Sequence, residues 1–384
     1  MSSLADPIST VPDRLAPQVA RSPRIAALDA ARAVGVLAMV FGHTLDAVLA
    51  PSVRAMPLAV AYWKARGLTA PLFLIVSGWA VTVAVTRSGA RGWAVPRGRL
   101  RRVLLLLAIG YGLRYPGWAQ ERFLAGDRTI WAHFLAFDTL HTIGVALLLT
   151  ALVLGVPWRA WYKAALLAAM AIAAVLLGGG AQLGTPLPTS EHLQGLPQSI
   201  PVMALVQVVG GSSPFPIFPW VAYFFAGAVV GLLAPPGRRG ALAMGAAGAA
   251  LFAATCWTGV GARQPGDPIL IAFRTGVVVM TLALLSTVPA RVARYAAPLG
   301  RSSLGVYAIH LPIVYGWSAF AGLSWRIGPT ALFPDRGLSG AASLATAVAV
   351  LAASFVVFRA LAWGWGRAEG WARRLLARSQ GAPE

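Results

Sequence analysis

The sequence predicts an all-α, polytopic integral membrane protein with about ten transmembrane helices and both termini in the cytoplasm. Of its 384 residues, 58% are hydrophobic and 11% are charged, whereas a soluble globular domain carries about 25% charged residues. The mean hydropathy is +0.69, so a soluble fold of this size would lack the polar surface to cover its core. The apolar residues also collect in segments long enough to cross a bilayer.

A spanning helix needs about 20 largely apolar residues, and ten segments approach that length. They are 29–50, 68–86, 103–119, 135–156, 160–179, 215–234, 240–259, 268–289, 303–321 and 338–361. The third is the weakest, because Gly110 and Arg114 interrupt it. We therefore expect a flexible cytoplasmic tail over 1–27, one membrane domain over 28–362 and a basic cytoplasmic tail over 363–384.

The basic residues indicate the orientation of the chain. Thirty-two Lys and Arg against twelve acidic residues give a net charge of +20, a surplus that also occurs in nucleic-acid-binding proteins. With the N-terminus in the cytoplasm, twenty basic residues fall in cytoplasmic segments and eight in outer ones. This is the positive-inside pattern. It predicts a lipid bilayer as the partner and no nucleic acid, and the Arg-, Ala- and Gly-rich composition favours a bacterial inner (plasma) membrane.

The first predicted span carries four polar groups that a bilayer disfavours: Asp29, Arg32, His43 and Asp46. Each charge at mid-bilayer costs about 3 kcal/mol on insertion scales. Arg32 and His43 are eleven residues apart, which places them within about 20° of the same helix face and roughly 16 Å apart along the axis. One stripe should therefore present a guanidinium near the cytoplasm and an imidazole nearer the outside.

Other spans carry polar groups at the predicted depth of His43. Asp138 and His141 are neighbours on one helix face, and Arg274 lies two turns into the eighth span. We expect a single site, with Arg114 as a further member. The alternative is a structural polar contact between helices, and for His310 packing and catalysis are equal alternatives. The candidate catalytic residues are His43, Arg32, Asp46, Asp138, His141 and Arg274.

The segment before the third span is rich in arginine, whose planar fork suits phosphate oxygens. Its members Arg97, Arg99, Arg101 and Arg102 are candidate ligands for a phosphorylated cofactor such as coenzyme A. The alternative is that they serve topology and attract anionic lipids. No metal is expected, because no histidine pair has the spacing of a helical zinc site. The sequence also lacks GxSxG, P-loop and GxGxxG motifs.

Four segments carry a family resemblance. They are LDAARAVGVLAMVFGH (28–43), PLFLIVSGWAV (71–81), the RxxR of Arg99 and Arg102, and LGRSSLGVYAIHLPIV (299–314). In this order they resemble the transmembrane acyltransferases of acyltransferase family 3 and their heparan-alpha-glucosaminide N-acetyltransferase-like relatives. The resemblance covers the first three spans and the ninth.

The resemblance implies transfer of an acyl group from cytoplasmic acyl-CoA to a hydroxyl or amine of a glycan or other cell-envelope acceptor. Acetyl-CoA is the first candidate for the donor. It implies that His43 is catalytic, that Arg32 works beside it, and that Arg99 and Arg102 help to hold the donor. The heparan-type enzymes carry their catalytic histidine near the segment that is 62–69 here. That segment contains no histidine, which favours His43.

The resulting hypothesis is that His43 acts as general base on the acceptor, with Asp46 or Asp138 orienting it. Arg274 or Arg114 would stabilise the oxyanion, and an acyl-imidazole intermediate stays open. Two alternatives come from other classes. One is a transporter that uses intramembrane Asp, His and Arg to bind protons or substrate. The other is a structural membrane protein with polar helix contacts.

Overall fold

The computed structural model describes residues 25–88, 97–179, 199–210, 213–234, 237–260, 263–316 and 328–379. These residues form helices and no β-strand, with one isolated bridge between Leu49 and Leu338. The helices are α1 (Ala26–Val48), α2 (Pro51–Arg54), α3 (Pro57–Arg66), α4 (Thr69–Ser88), α5 (Arg97–Arg114), α6 (Gln120–Leu124), α7 (Arg128–Leu135), α8 (Thr139–Gly155), α9 (Ala160–Gly179), α10 (Ile200–Val209), α11 (Ile217–Leu233), α12 (Arg238–Thr255), α13 (Pro268–Thr287), α14 (Ala290–Arg301), α15 (Ser303–Tyr315), α16 (Pro329–Leu332) and α17 (Gly340–Ser379).

The predicted all-α membrane fold is confirmed at the level of helices and their hydropathy. Every predicted span coincides with a helix over most of its described length; these helices are α1, α4, α5, α8, α9, α11, α12, α13, α15 and α17. By length and composition, five helices of the described part can cross a membrane, or six if the bent pair of α7 and α8 counts as one. The count of ten spans and the cytoplasmic termini stay predictions.

The two predicted tails have different outcomes. Most of the predicted tail 1–27 lies outside the described residues. At the other end, α17 continues without a break through position 363, where the basic tail was predicted to begin. The short helices between spans, such as α3 and α14, are too short or too polar for a search based on hydropathy to find.

The core of the bundle contains a backbone-to-backbone crossing of α4 and α11. A Cβ on Gly78 would lie 2.0 Å from the carbonyl oxygen of Phe224, and one on Gly227 would lie 1.9 Å from that of Ile75. Helices in a bilayer associate through close packing, because lipid tails are as apolar as the side chains they replace. The crossing fixes α4, one face of which lines the cavity described below.

We expect Gly227→Ala to lower the thermal midpoint in detergent. Alanine favours a helix over glycine by about 1 kcal/mol, but at this position the new methyl group would collide with the Ile75 carbonyl, and overpacking costs about 1–3 kcal/mol. Gly364→Ala is the matched control, because a Cβ there meets nothing within 4 Å. Equal midpoints for the two variants would contradict the crossing.

Candidate active site

A partly open cavity of about 900 Å³ lies between α1, α4, α5, α8, α14 and α15. Five guanidinium groups line it, and Asp29 is the single carboxylate among its described lining residues. The five are Arg32, Arg87, Arg99, Arg102 and Arg301. Toward the other end of the same helices, the lining changes to Phe73, Leu140, Ile143 and Tyr307. The cavity thus offers a cationic mouth for an anion and an apolar interior.

The cavity divides the predicted arginine run into two pairs. Arg99 and Arg102 line the cavity, as their i, i+3 spacing on one helix face allows. Arg97 and Arg101 are exposed and take no part in the lining. A ligand in the cavity would therefore contact Arg99 and Arg102 directly, whereas Arg97 and Arg101 would act on it only through long-range electrostatic attraction.

Arg32 lies at this cavity and not beside His43. It forms an ion pair with Asp29 at 3.6 Å, and both residues line the cavity. The neighbouring wall comes from Gly300, where a Cβ would lie 2.0 Å from the carbonyl oxygen of Asp29. This backbone contact brings Arg301 to the same mouth as Arg32.

His43 lies roughly 16 Å further along α1 than Arg32. Its Nδ1 is 3.1 Å from the hydroxyl oxygen of Tyr315, and that hydroxyl donates to the His43 carbonyl oxygen at 3.1 Å. With the single hydrogen of the hydroxyl directed at that carbonyl, the His43 Nδ1–H is the donor to the hydroxyl oxygen. The lone pair of the neutral ring in this tautomer is on Nε2, the nitrogen that can accept a proton.

His310 on α15 lies next to His43, with the ring centroids 5.4 Å apart. Its side chain is completely buried. Its Nδ1 lies 2.8 Å from the carbonyl oxygen of Tyr307 and 3.1 Å from that of Val306. Carbonyls accept and do not donate, so Nδ1 carries the hydrogen. Nε2 is buried and has no hydrogen-bond partner within the described part of the chain.

On the other side of His43, Asp46 is held by two arginines. Arg54 makes a short ion pair with Asp46, and Arg66 lies 3.7 Å from the same carboxylate oxygen. Both guanidinium groups lie over the ring of Trp63, at 4.2 and 5.0 Å from its centroid. The segment 62–69 therefore contributes an aromatic ring and a cation to the surroundings of Asp46. Asp46 is paired with arginines and not with the imidazole.

Asp138 and His141 form the N-terminal cap of α8. The Asp138 carboxylate accepts hydrogen bonds from the backbone N–H groups of Leu140 and His141, at 2.8 and 3.3 Å, and lies 3.0 Å from the His141 Nδ1. The His141 ring packs against Tyr111, with centroids 4.2 Å apart. The three-residue spacing is therefore accounted for by a capping box.

Arg274, the remaining predicted member, lies beside the α3–α4 junction. Its Nη2 is 2.8 Å from the position that a Cβ on Gly67 would occupy. The structure places the predicted members as follows: Arg32 lines the cavity, His43 lies near Asp46 on α1, Asp138 and His141 cap α8, and Arg274 lies near Gly67. Their role in one common site stays a prediction. Sequence reasoning missed Tyr315 and left His310 open, because a single sequence does not show that α1 and α15 pack together.

Comparison with known proteins gives one family. A family model described as heparan-alpha-glucosaminide N-acetyltransferase, catalytic, matches residues 24–262. The matched part includes Arg32, His43, Arg99 and Arg102, whereas α13 to α17 lie beyond it. No curated protein matches the chain.

We expect Asp138→Ala to destabilise the protein by about 1–2 kcal/mol, the usual cost of a lost N-cap. Asp138→Asn should retain most of the stability, because its side-chain oxygen can accept the same two backbone N–H bonds. Thermal midpoints in detergent measure both. Equal losses for the two variants would show that the charge of Asp138, and not its capping geometry, stabilises α8.

Proposed function

Because this chain belongs to the heparan-alpha-glucosaminide N-acetyltransferase catalytic family, whose members are membrane acetyltransferases, we propose that it transfers an acyl group from coenzyme A to an envelope acceptor. The proposed acyl group is acetyl, and the proposed acceptor is a hydroxyl or amine of a glycan or related molecule. The observation that carries the proposal is the cavity, which extends from five arginines to Tyr307, whose ring lies next to that of His310.

The donor fits the two ends of the cavity. The phosphate groups of coenzyme A match guanidinium forks such as those of Arg99, Arg102 and Arg301. The pantetheine arm is long and thin, and it would run along the apolar wall beside Phe73 and Leu140. The thioester would then lie near Tyr307, which lines the cavity and whose ring centroid is 5.8 Å from that of His310.

The acceptor approaches His43 from the side of Asp46. The side chains of Asp46, Arg54 and Arg66 are 31%, 32% and 26% exposed, so they offer hydrogen-bonding groups to a hydroxyl-rich molecule. His43 Nε2 takes the proton of the acceptor hydroxyl or amine. The acceptor oxygen or nitrogen attacks the thioester carbonyl carbon, and the C–S bond then breaks.

The charge pattern gives the sides of the membrane. The arginine mouth belongs to segments that the positive-inside pattern assigns to the cytoplasm, which is where acyl-CoA is made. We therefore place the donor on the cytoplasmic side and the acceptor on the outer side of a bacterial inner membrane. The family match favours this enzyme over the alternative of a proton or substrate transporter.

We expect coenzyme A and acetyl-CoA to raise the thermal midpoint of the purified protein. A ligand at a hundred times its Kd stabilises the native state by about 2.7 kcal/mol. Arg99→Ala with Arg102→Ala should abolish the shift, whereas Arg97→Ala with Arg101→Ala is the charge-matched control and should keep it. No shift for the wild type at millimolar ligand would contradict the proposal. An equal loss of the thermal shift in both double variants would indicate that coenzyme A is attracted by the overall positive charge and not bound at a specific site.

We expect His43→Ala to lower the rate of acyl transfer by roughly 10²–10⁴-fold, the usual contribution of a general base. The assay follows thiol release from acetyl-CoA with acceptors that include glucosaminides. The variant should still be stabilised by coenzyme A. Leu37→Ala, a 39% exposed position on the same helix, should retain full activity. A folded His43→Ala protein that transfers at the wild-type rate would remove His43 from the mechanism.

A further inference from the structure

We propose that His310 is the general acid that protonates the coenzyme A thiolate as it leaves, so that His43 and His310 act as a pair on the two substrates. This inference rests on the proposed acyl transfer. Four observations carry it: the fixed tautomers of the two rings, their separation, the unpartnered Nε2 of His310 and the path from the cavity along α15.

The hydrogen bonds at Nδ1 give both rings the same form. His43 donates its Nδ1–H to Tyr315, and His310 donates its own to backbone carbonyls of α15. Each neutral ring therefore keeps a free lone pair on Nε2. With the ring centroids 5.4 Å apart, a proton taken up by one imidazole has a second base within reach through a small ring movement or one water molecule.

The two rings differ in access. His310 is completely buried and His43 is partly exposed. On α15, Ser303 and Tyr307 line the cavity and His310 follows three residues after Tyr307. From Ser303 to His310 the helix rises roughly 10 Å. His310 is thus the imidazole on the donor side, and His43 is the imidazole on the acceptor side.

The Nε2 of His310 is buried without a hydrogen-bond partner in the described part of the chain. A buried polar atom without a hydrogen bond costs about 1–3 kcal/mol, and within the described residues this atom has none. The two bonds occupy Nδ1, so that Nε2 is the nitrogen of His310 that can exchange a proton. A ring fixed at one nitrogen and vacant at the other suits transfer of a proton to a bound group.

The proposed step balances atoms and charge. The acceptor proton moves to His43 Nε2 while the acceptor oxygen or nitrogen bonds to the thioester carbon. The C–S bond breaks, and its electron pair stays on sulfur. The proton passes from His43 Nε2 to His310 Nε2 and on to the sulfur. The products are the acylated acceptor and the free coenzyme A thiol, and both imidazoles return to their neutral form.

The test compares two acetyl donors with leaving groups of different basicity. The wild type and His310→Gln are assayed with acetyl-CoA and with S-phenyl thioacetate, whose aryl thiolate departs more readily without a proton. Loss of a general acid should lower kcat/KM for acetyl-CoA by roughly 10²–10⁴-fold. For the aryl thioester the fold-loss should be smaller by a factor of about ten or more, because a less basic leaving group needs less assistance from a general acid.

An equal loss with both donors would overturn the proposal, because a purely structural histidine would impair both reactions alike. Wild-type activity of the variant with acetyl-CoA would overturn it as well. If His310→Gln does not fold, the same comparison is made with His310→Asn in native membrane vesicles. If the wild type neither binds coenzyme A nor transfers acetyl, the proposed function is refuted, and not the role of His310 alone. If the wild type does both and coenzyme A still stabilises the variant, a loss of transfer in the variant concerns His310 only.

Discussion

The contact between Gly300 and the backbone of Asp29 sets the register between α1 and the α14–α15 pair, and the whole site depends on it. Any side chain at position 300 would collide with the Asp29 carbonyl, so the two backbones touch only because the residue is glycine. At this level Arg301 joins Arg32 around the cavity. Further along α1 and α15, His310 meets His43. The backbone contact at Gly300 thus precedes both the cluster of arginines at the cavity and the pair of imidazoles.

Groups that are always charged and groups that become charged only on protonation occupy different parts of the site. An isolated ion is costly in a medium of low dielectric constant, and the cavity guanidiniums lie where water or an anion reaches them. The guanidiniums of Arg54 and Arg66 are instead paired with Asp46. Between these two regions lie two imidazoles, which are stable as neutral rings and accept a charge when a proton arrives. Such an order suits a reaction in which an anionic donor enters at one end and a proton crosses the middle.

Hydropathy was sufficient to predict the long apolar helices, though not the short ones between them, because a bilayer imposes a similar length and composition on each span. It was not sufficient to predict which side chains meet. Depth in the membrane is one coordinate of three, so a common depth does not by itself bring two side chains into contact. The spacing of Asp138 and His141 fits a capping box as well as a site. The pairing of His310 with His43 depends on the packing of α15 against α1, and no pattern within either helix encodes that contact.

The hydrogen bond between Tyr315 and His43 joins residues 272 positions apart. His43 lies inside the part of the chain that the family model matches, and Tyr315 lies outside it. The hydrogen-bond partner of His43 Nδ1 therefore comes from outside the matched segment 24–262. A change in the late helices would act on the proposed general base while every residue of the matched segment stays the same.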